Sequence, residues 1–281
     1  MEKYMLLRQR VQKDCLVPES DLIEPDAANV DQLLMVHQSD YIERVLHGML
    51  NEKEIRRIGF PWSVQLVERS RRSVGGTIAA CRSALADGLS ANLAGGTHHA
   101  YAGHGEGFCV FNDCAVAART VQAEKIAGRV LFIDLDVHQG NGSASIFNGD
   151  DSVYTFSIHG EKNFPFHKEI SCLDIALPDH TGDEIYLELL QKGLQRALAE
   201  SRADLAIYLS GADPYEGDRL GRMALSKAGL LRRDQMVFSA CQDANLPVAV
   251  VMAGGYARDI HDTVDIQFNT INLAVSYTPG K

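Results

Sequence analysis

The sequence predicts an α/β protein, a three-layer αβα sandwich with a mainly parallel central sheet. Three short apolar, β-branched runs carry this prediction, and helical sequence separates them in the later half of the chain. Strands that are buried on both faces of a parallel sheet read as continuous hydrophobic runs of this kind. The runs comprise residues 130–133, 205–209 and 248–252. Because no repeat, low-complexity stretch or linker divides the chain, we expect a single domain over residues 1–281.

Helices are predicted from the beginning of the chain. Residues 2–13 place Tyr4, Leu7 and Val11 on one stripe of a helix. Residues 31–51 fit one or two further helices. Helices are therefore plentiful before the first clear strand.

The longest predicted helix covers residues 63–87. It is Ala-rich toward its end, and Gly88 is its stop signal. Two more helices, over residues 185–199 and 227–244, separate the later strands, as connections between parallel strands require.

Composition and charge exclude several classes of protein. Hydrophobic residues make up 46% of the chain and charged residues 23%, which excludes disordered, collagen-like and disulfide-rich miniprotein classes. No apolar run reaches the roughly 18–20 residues that span a bilayer, and the charged start does not fit a signal peptide. We therefore expect a cytoplasmic protein that has no membrane partner and whose six scattered cysteines are free thiols. The formal charge of −10, without Lys/Arg-rich runs, argues against direct nucleic-acid binding, and the oligomeric state is open.

Polar residues follow each predicted strand at its carboxyl end. Asp134, Asp136 and His138 follow the first strand, and Asp213 follows the second. Ligands bind outside the carboxyl ends of the strands in open parallel sheets, so these groups are expected to converge on one crevice. Two carboxylates and an imidazole suit Zn²⁺ with a fourth position open to water. The alternative is that Asp134 and Asp136 cap helices or pair with arginines.

Two adjacent histidines lie in a glycine-rich loop, GGTHHAY. Both side chains, His98 and His99, are seldom needed together for packing, whereas imidazole can take a proton from water and return it to an amine near neutral pH. Asp134 and Asn141 are candidate partners that orient the two rings. The loop is therefore predicted to supply general acid and base groups.

A two-metal site is not expected. A dinuclear manganese hydrolase of the arginase kind uses D-x-H-x-D and D-x-D patterns. Here Gly140 stands two residues after His138, and Gly211 stands two residues before Asp213. The sequence supplies ligands for one metal ion.

Several motifs together resemble one known family, the zinc-dependent histone deacetylases. They are GGTHHAYAGHGEGFCVFNDCAVAA, VLFIDLDVHQGNGSASIF, YTFSIHG, LSGADPYEGDRLG and VMAGGY. The stretch RIGFPWSVQLVERSRRSVGGT is similar to short bacterial-type members of class IV. The resemblance implies the arginase/deacetylase fold, which agrees with the predicted sandwich.

The resemblance also implies roles for individual residues in amide hydrolysis. Asp136, His138 and Asp213 match the family's zinc ligands. The paired histidines match His98 and His99, with Asp134 behind the first and Asn141 behind the second. The tyrosine that donates to the developing oxyanion matches Tyr256.

Substrate and cation sites are implied in the same way. The narrow tunnel for the acyl-lysine stem and its surroundings match Gly107, Phe108, Phe164 and Gly255. A structural K⁺ or Na⁺ ion in the family binds oxygens at positions that match those of Asp134, Ser157 and Ile158, together with Asp136 and His138.

The resemblance has two departures. Family members begin with a strand and an aromatic, proline-containing loop, so we expect either a truncated chain or a sheet that lacks its first strand. The acidic residue that binds the substrate backbone at the rim has no match in RIGFPWSVQL.

The predicted function is zinc-dependent hydrolysis of N-acetyl-lysine in proteins. The alternatives are an amidohydrolase of acetylpolyamines or other acylated small amines, and a non-catalytic binding module.

Overall fold

A six-stranded, all-parallel sheet forms the centre of the computed structural model, which describes residues 2–277. The strand order is β1-β6-β5-β2-β3-β4, which confirms the predicted parallel sheet. The strands are β1 Leu89–Asn92, β2 Val130–Asp134, β3 Val153–Gly160, β4 Leu173–Leu177, β5 Leu205–Leu209 and β6 Val248–Val251.

Ten α-helices surround the sheet in the described part of the chain. They are α1 Glu2–Lys13, α2 Val30–Leu34, α3 Ser39–Leu46, α4 Glu52–Ile58, α5 Val64–Asp87, α6 Asp113–Ala123, α7 Asn141–Ile146, α8 Asp183–Ser201, α9 Lys227–Asp243 and α10 Ile260–Tyr277. None of these helices is long and apolar enough to cross a membrane.

Two hydrophobic clusters, one on each face of the sheet, make the architecture three-layered. Alternate side chains of β2 enter different clusters: Phe132 packs with α5 and α6, whereas Leu131 and Ile133 pack with α8, α9 and α10. This alternation follows from the two-residue period of a strand. The predicted sandwich is therefore confirmed.

Local signals place the helices before the sheet. Ser63 accepts a hydrogen bond from the backbone N–H of Leu66 at the start of α5, and Gly88 ends the helix with a φ of 90°. Residues 31–51 were expected to hold one or two helices. Two helices, α2 and α3, lie in this segment, which confirms the prediction, and Asn51 at its end caps the next helix, α4, through a capping box. In the described residues, no strand precedes α5.

Helix α1 packs against α10 and also reaches the pocket described below. Leu7 and Val11 are buried, as the predicted stripe requires. The third buried residue of the helix is Lys3, and Tyr4 is half-buried in the pocket wall. A buried lysine this close to the sheet was not predicted.

Candidate active site

A pocket of about 570 Å³ opens at the carboxyl ends of β2, β5 and β6. Residues from the loops after these strands, and from the loop after β1, line it together. The strand-end groups therefore converge in one crevice, as the sequence predicted. Five buried or nearly buried side chains form what we call the pocket floor: Asp136, His138, Asp213, His98 and His99.

Asp136, His138 and Asp213 form a group that can hold a metal ion. One ligand atom from each residue lies within 4.8 Å of the others. His138 Nδ1 is 2.9 Å from Asp136 Oδ1 and 3.3 Å from Asp213 Oδ2. Two carboxylates and one imidazole form a donor set that suits Zn²⁺ and leaves a position open.

The surroundings of these three residues fit a bound cation. Asp213 Oδ2 is buried without a hydrogen-bond partner among the described residues, although His138 Nδ1 lies nearby. Burial lowers the pKa of His138, but the adjacent carboxylates of Asp136 and Asp213 outweigh it and raise the pKa to about 10. The two buried carboxylates thus stabilise a positive charge beside them, which the protonated His138 ring supplies in this structure. A metal ion bound here would neutralise them and give Asp213 Oδ2 the partner that it lacks.

Backbone groups fix both carboxylates from behind. The N–H of Val137 donates to Asp213 Oδ1 over 2.9 Å, and the N–H of Gly254 donates to Asp136 Oδ2 over 2.7 Å. A Cβ atom on Gly254 would lie 1.9 Å from Asp213 Oδ2. The strand-end loop can approach the two carboxylates this closely because it has glycine at this position.

A buried ion pair supports the same loops from beneath. Arg233 Nη1 donates to the carbonyl oxygen of Gly211 over 2.5 Å, and Nε donates to Asp234 over 2.9 Å. Gly211 lies two residues before Asp213, so the arginine holds the loop that carries this ligand. The sequence analysis missed this pair, because charged residues on a helix ordinarily face solvent.

The paired histidines have different partners. His98 Nδ1 lies 2.6 Å from Asp134 Oδ2, and His99 Nδ1 lies 2.6 Å from Asn141 Oδ1, as the sequence analysis paired them. Burial opposes the charge of His98, but the nearby carboxylates Asp134 and Asp136 raise its pKa to about 9. Burial and the neighbouring histidines hold the pKa of His99 well below its usual value. The two rings, 4.2 Å apart, therefore favour opposite protonation states.

Asp113, at the start of α6, holds the loop that carries the histidines. This buried carboxylate accepts hydrogen bonds from the N–H groups of Gly96 and Thr97 and from the hydroxyls of Thr77 and Thr97. Four donors compensate for its burial without a cation. The sequence offered a weak signal for this role, an Asn-Asp pair at a helix start.

Tyr256 lies in the pocket wall, and Lys3 sits behind it. Burial raises the pKa of the Tyr256 hydroxyl, which therefore stays protonated. Lys3 Nζ donates to the carbonyl oxygens of Ala253 and Gly255 over 3.0 and 3.3 Å and lies 5.1 Å from the centre of the tyrosine ring. Gly255, predicted to bind substrate, is buried and does not line the pocket, whereas Gly254 and Tyr256 do.

Gly107, Phe108 and Phe164 narrow the pocket above the floor. Phe164 lies edge-on to His99 with ring centres 4.9 Å apart, and Phe108 lies 5.7 Å from Tyr256. A Cβ atom on Gly107 would lie 2.7 Å from His99 Cδ2. Of the four residues predicted for the tunnel and its surroundings, Gly107, Phe108 and Phe164 therefore line one passage, and Gly255 does not.

The residues of the predicted monovalent-cation site lie side by side on neighbouring strands. Asp134 of β2 pairs in register with Ser157 of β3, and Ile158 follows. Ser157 Oγ lies 2.9 Å from Nδ1 of His159. The K⁺ or Na⁺ ion itself stays a prediction.

Comparisons with known proteins match this chain over most of its length. A family model described as histone deacetylase domain matches residues 1–269. An uncharacterized protein of Picosynechococcus is 45% identical over 94% of this chain and 88% of its own length. Histone deacetylase 2 of Arabidopsis thaliana is 30% identical, over 90% of this chain and 68% of that protein. The acetoin utilization protein AcuC of Staphylococcus xylosus is 28% identical, over 90% and 71%.

Solved structures of similar proteins have the same fold. An HDAC homolog from Aquifex aeolicus superposes with a TM-score of 0.84 at 24% identity, over 96% of this chain and 77% of that one. A structure of an HDAC homolog complexed with SAHA gives a TM-score of 0.84 at 25% identity and the same coverage.

Proposed function

The chain belongs to the histone deacetylase family, and from this premise we propose that it is a zinc-dependent hydrolase of N-acetyl-lysine in proteins. One observation carries the proposal: the metal-ligand triad, the histidine pair and Tyr256 line one pocket. We further propose that the reaction takes place in the cytoplasm and involves neither a membrane nor a nucleic acid.

Asp136, His138 and Asp213 are the residues that would hold the zinc ion. When bound, zinc supplies a Lewis acid that polarises a carbonyl group and lowers the pKa of water. The exposed edge of the triad faces the pocket, where the acyl group of a substrate arrives. Phe108 and Phe164 offer apolar walls to the aliphatic stem of an acyl-lysine.

His99 is the proposed general base. Its Nδ1 must donate to the amide oxygen of Asn141, which leaves Nε2 as the proton acceptor. The low pKa keeps the ring neutral at physiological pH, so this acceptor is available. As water attacks the carbonyl carbon, its proton passes to His99 Nε2.

His98 and Tyr256 are proposed to stabilise the later stages of the reaction. The Tyr256 hydroxyl donates a hydrogen bond to the carbonyl oxygen as negative charge develops there. His98, whose Nδ1 is hydrogen-bonded to the Asp134 carboxylate, can carry a positive charge beside the reacting amide. When the C–N bond breaks, the histidine pair returns a proton to the amine nitrogen, and the products are acetate and lysine.

The alternative functions require different sets of pocket residues. A non-catalytic binding module has no need of a complete catalytic set, and every member is present here. An amidohydrolase of acylated small amines would use the same pocket floor. The two functions therefore differ in the residues at the entrance of the pocket, which contact the part of the substrate beyond the acyl group.

The proposed function is tested with purified, zinc-loaded protein and an ε-acetyl-lysine peptide. We expect mass spectrometry to show the deacetylated peptide and stoichiometric acetate, and the His99→Ala variant to lose this turnover while retaining zinc. Equal product from wild type and His99→Ala, or no product from a folded wild type that contains zinc, would contradict the proposal.

A further inference from the structure

The entrance of the pocket has a charge opposite to that of the whole chain. The chain carries a formal charge of −10, yet three exposed cations line the pocket. Apart from the two carboxylates of the triad, Glu106 is the one acidic residue among the described residues that line it. We call the following residues the pocket mouth: Arg57, Lys162, Arg222, Glu106, Phe108 and Phe166.

These cations are largely uncompensated. Among the described residues, neither Arg57 nor Lys162 forms an ion pair within 4.0 Å. Arg222 lies 3.4 Å from Asp179, but its side chain is 53% exposed. Glu106 is the single acidic residue of the mouth, where it stands against three cations. The mouth is therefore positive.

Backbone hydrogen bonds hold the cations in two separate groups at the opening. The carbonyl oxygen of Arg57 accepts a hydrogen bond from Gly107 N–H over 3.2 Å, which ties Arg57 to one wall. Buried Asn163, next to Lys162, accepts from Arg222 N–H over 3.3 Å and donates to Leu220 O over 2.8 Å. Lys162 and Arg222 therefore belong to one joined pair of loops.

We propose that the mouth selects acylated amines whose non-acyl part carries negative charge, such as acyl-lysine flanked by acidic residues. The inference rests on the proposed function and deepens it. A cationic substrate such as an acylpolyamine meets like charges at the entrance, and such repulsion is an effective source of specificity. Charge complementarity at an entrance acts mainly on association and weakens with salt.

The test compares ε-acetyl-lysine peptides that differ in their flanking residues, with Asp, Ser or Lys on both sides. We expect kcat/KM to fall in that order, by roughly tenfold from Asp to Lys at low ionic strength, and the difference to shrink in salt. Lys162→Glu should reverse or abolish the order. Lys192→Glu, which changes an exposed lysine on α8, is the matched control and should leave the order unchanged.

Binding of the same peptides to His99→Ala separates this inference from the proposed function. If the Asp peptide binds more tightly to this variant than the Lys peptide does, the mouth is as proposed, whether or not wild type turns the peptide over. Equal binding and equal kcat/KM across the series would overturn the inference and leave the hydrolase assignment intact. Preferred turnover of N-acetylspermidine over the Asp peptide would also overturn it.

A separate observation concerns the chain of hydrogen bonds behind His99. Asn141 Nδ2 donates to the Tyr101 hydroxyl over 3.0 Å, and this hydroxyl donates to Glu169 Oε1 over 3.1 Å. Burial and the neighbouring Glu169 raise the pKa of Tyr101 to about 12, so the phenol keeps its proton. Buried Gln139 fixes Glu169 by exchanging two hydrogen bonds with its backbone, of 2.9 and 2.8 Å.

Glu169 sets the donor-to-acceptor direction of these hydrogen bonds. A carboxylate can only accept, so the Tyr101 proton points to Glu169 and its oxygen accepts from the Asn141 amide NH₂. The amide oxygen must then face His99 Nδ1, which carries the proton. We infer that Tyr101 and Glu169 are positioning residues that set the tautomer of His99 through Asn141.

The tautomer is measured by ¹⁵N NMR of zinc-loaded protein with labelled histidine. We expect wild-type His99 to be protonated at Nδ1, and Tyr101→Phe to show mixed tautomers with kcat lowered about tenfold, as for other supporting partners of catalytic sites. The Phe ring of Tyr101→Phe preserves the stacking on His104, with ring centres 4.5 Å apart. A second variant, Glu169→Gln, keeps an acceptor for the Tyr101 hydroxyl and should retain most of the Nδ1-protonated His99 signal. An unchanged tautomer and kcat in Tyr101→Phe would overturn the inference.

Discussion

The floor and the mouth of the pocket differ in how firmly their side chains are held. At the floor, His98, His99, Asp136 and Asp213 are no more than 5% exposed, and backbone or buried side-chain groups fix each of them. At the mouth, Phe166 is 80% exposed, Lys162 and Arg222 lie on loops, and exposed Arg57 lies in the last turn of the short helix α4. From this contrast we infer that the rigid floor carries the catalytic groups and that the exposed mouth selects the substrate.

The largest effect is expected from removal of a metal ligand. Asp213→Ala leaves two ligands, and we expect zinc affinity to fall by more than ~100-fold, because even supporting residues of metal sites contribute 10- to 100-fold. Zinc content after dialysis, measured beside activity, checks this. Asp243→Ala, at the exposed end of α9, is the control and should retain full zinc and activity. Full zinc occupancy in Asp213→Ala would contradict the ligand assignment.

The next effect tests the chemistry of the floor without removing the metal. We expect His99→Ala to lower kcat by roughly 10²- to 10⁴-fold, the usual contribution of a general base, while zinc content stays at the wild-type level. Steady-state kinetics and metal analysis on the same preparation measure kcat and zinc content together. A variant that loses its zinc would assign His99 to metal binding instead.

Tyr256→Phe removes one hydroxyl at the junction between floor and wall. We expect a loss of about 10²- to 10³-fold in kcat, as for other donors to a developing oxyanion, with little change in KM. The ring, and its contact with Lys3, should remain. An increase confined to KM would mean that the hydroxyl binds the substrate and not the transition state.

The smallest effect is expected from an apolar residue of the mouth. Phe108→Ala removes a ring that is 42% exposed and lies 5.7 Å from Tyr256. We expect KM for the acetyl-lysine peptide to rise about tenfold, since burial of a large side chain contributes roughly 1.5–3 kcal/mol, with kcat nearly unchanged. A drop in kcat as large as that of Tyr256→Phe would remove the distinction between floor and mouth.

The fold was predictable where strands are buried on both faces. All residues of β2, β5 and β6 are buried, and these strands read as continuous apolar runs. The edge strands β1 and β4 are half-exposed, so their sequences carry no such run, and the residue pattern did not predict them as strands. Strand prediction therefore succeeded for β2, β5 and β6, at whose carboxyl ends the site lies. It missed the inner strand β3, whose buried sequence is interrupted by polar residues.

The floor was predictable because its residues follow strands in short motifs. Asp136 and His138 stand two apart, and His98 and His99 are adjacent. The supporting groups were missed because their contacts join distant parts of the chain: Lys3 bonds to carbonyl groups some 250 positions away. The charge of the mouth was missed for the same reason, since three separate segments supply it.

Metal removal and restoration is the measurement that tests the central claim most directly. Chelation should abolish hydrolysis of an ε-acetyl-lysine peptide, and titration with Zn²⁺ should restore it linearly up to one equivalent per chain, with release of acetate. Turnover that persists in the metal-free protein, or a folded protein that binds one zinc and shows no hydrolysis, would contradict the account.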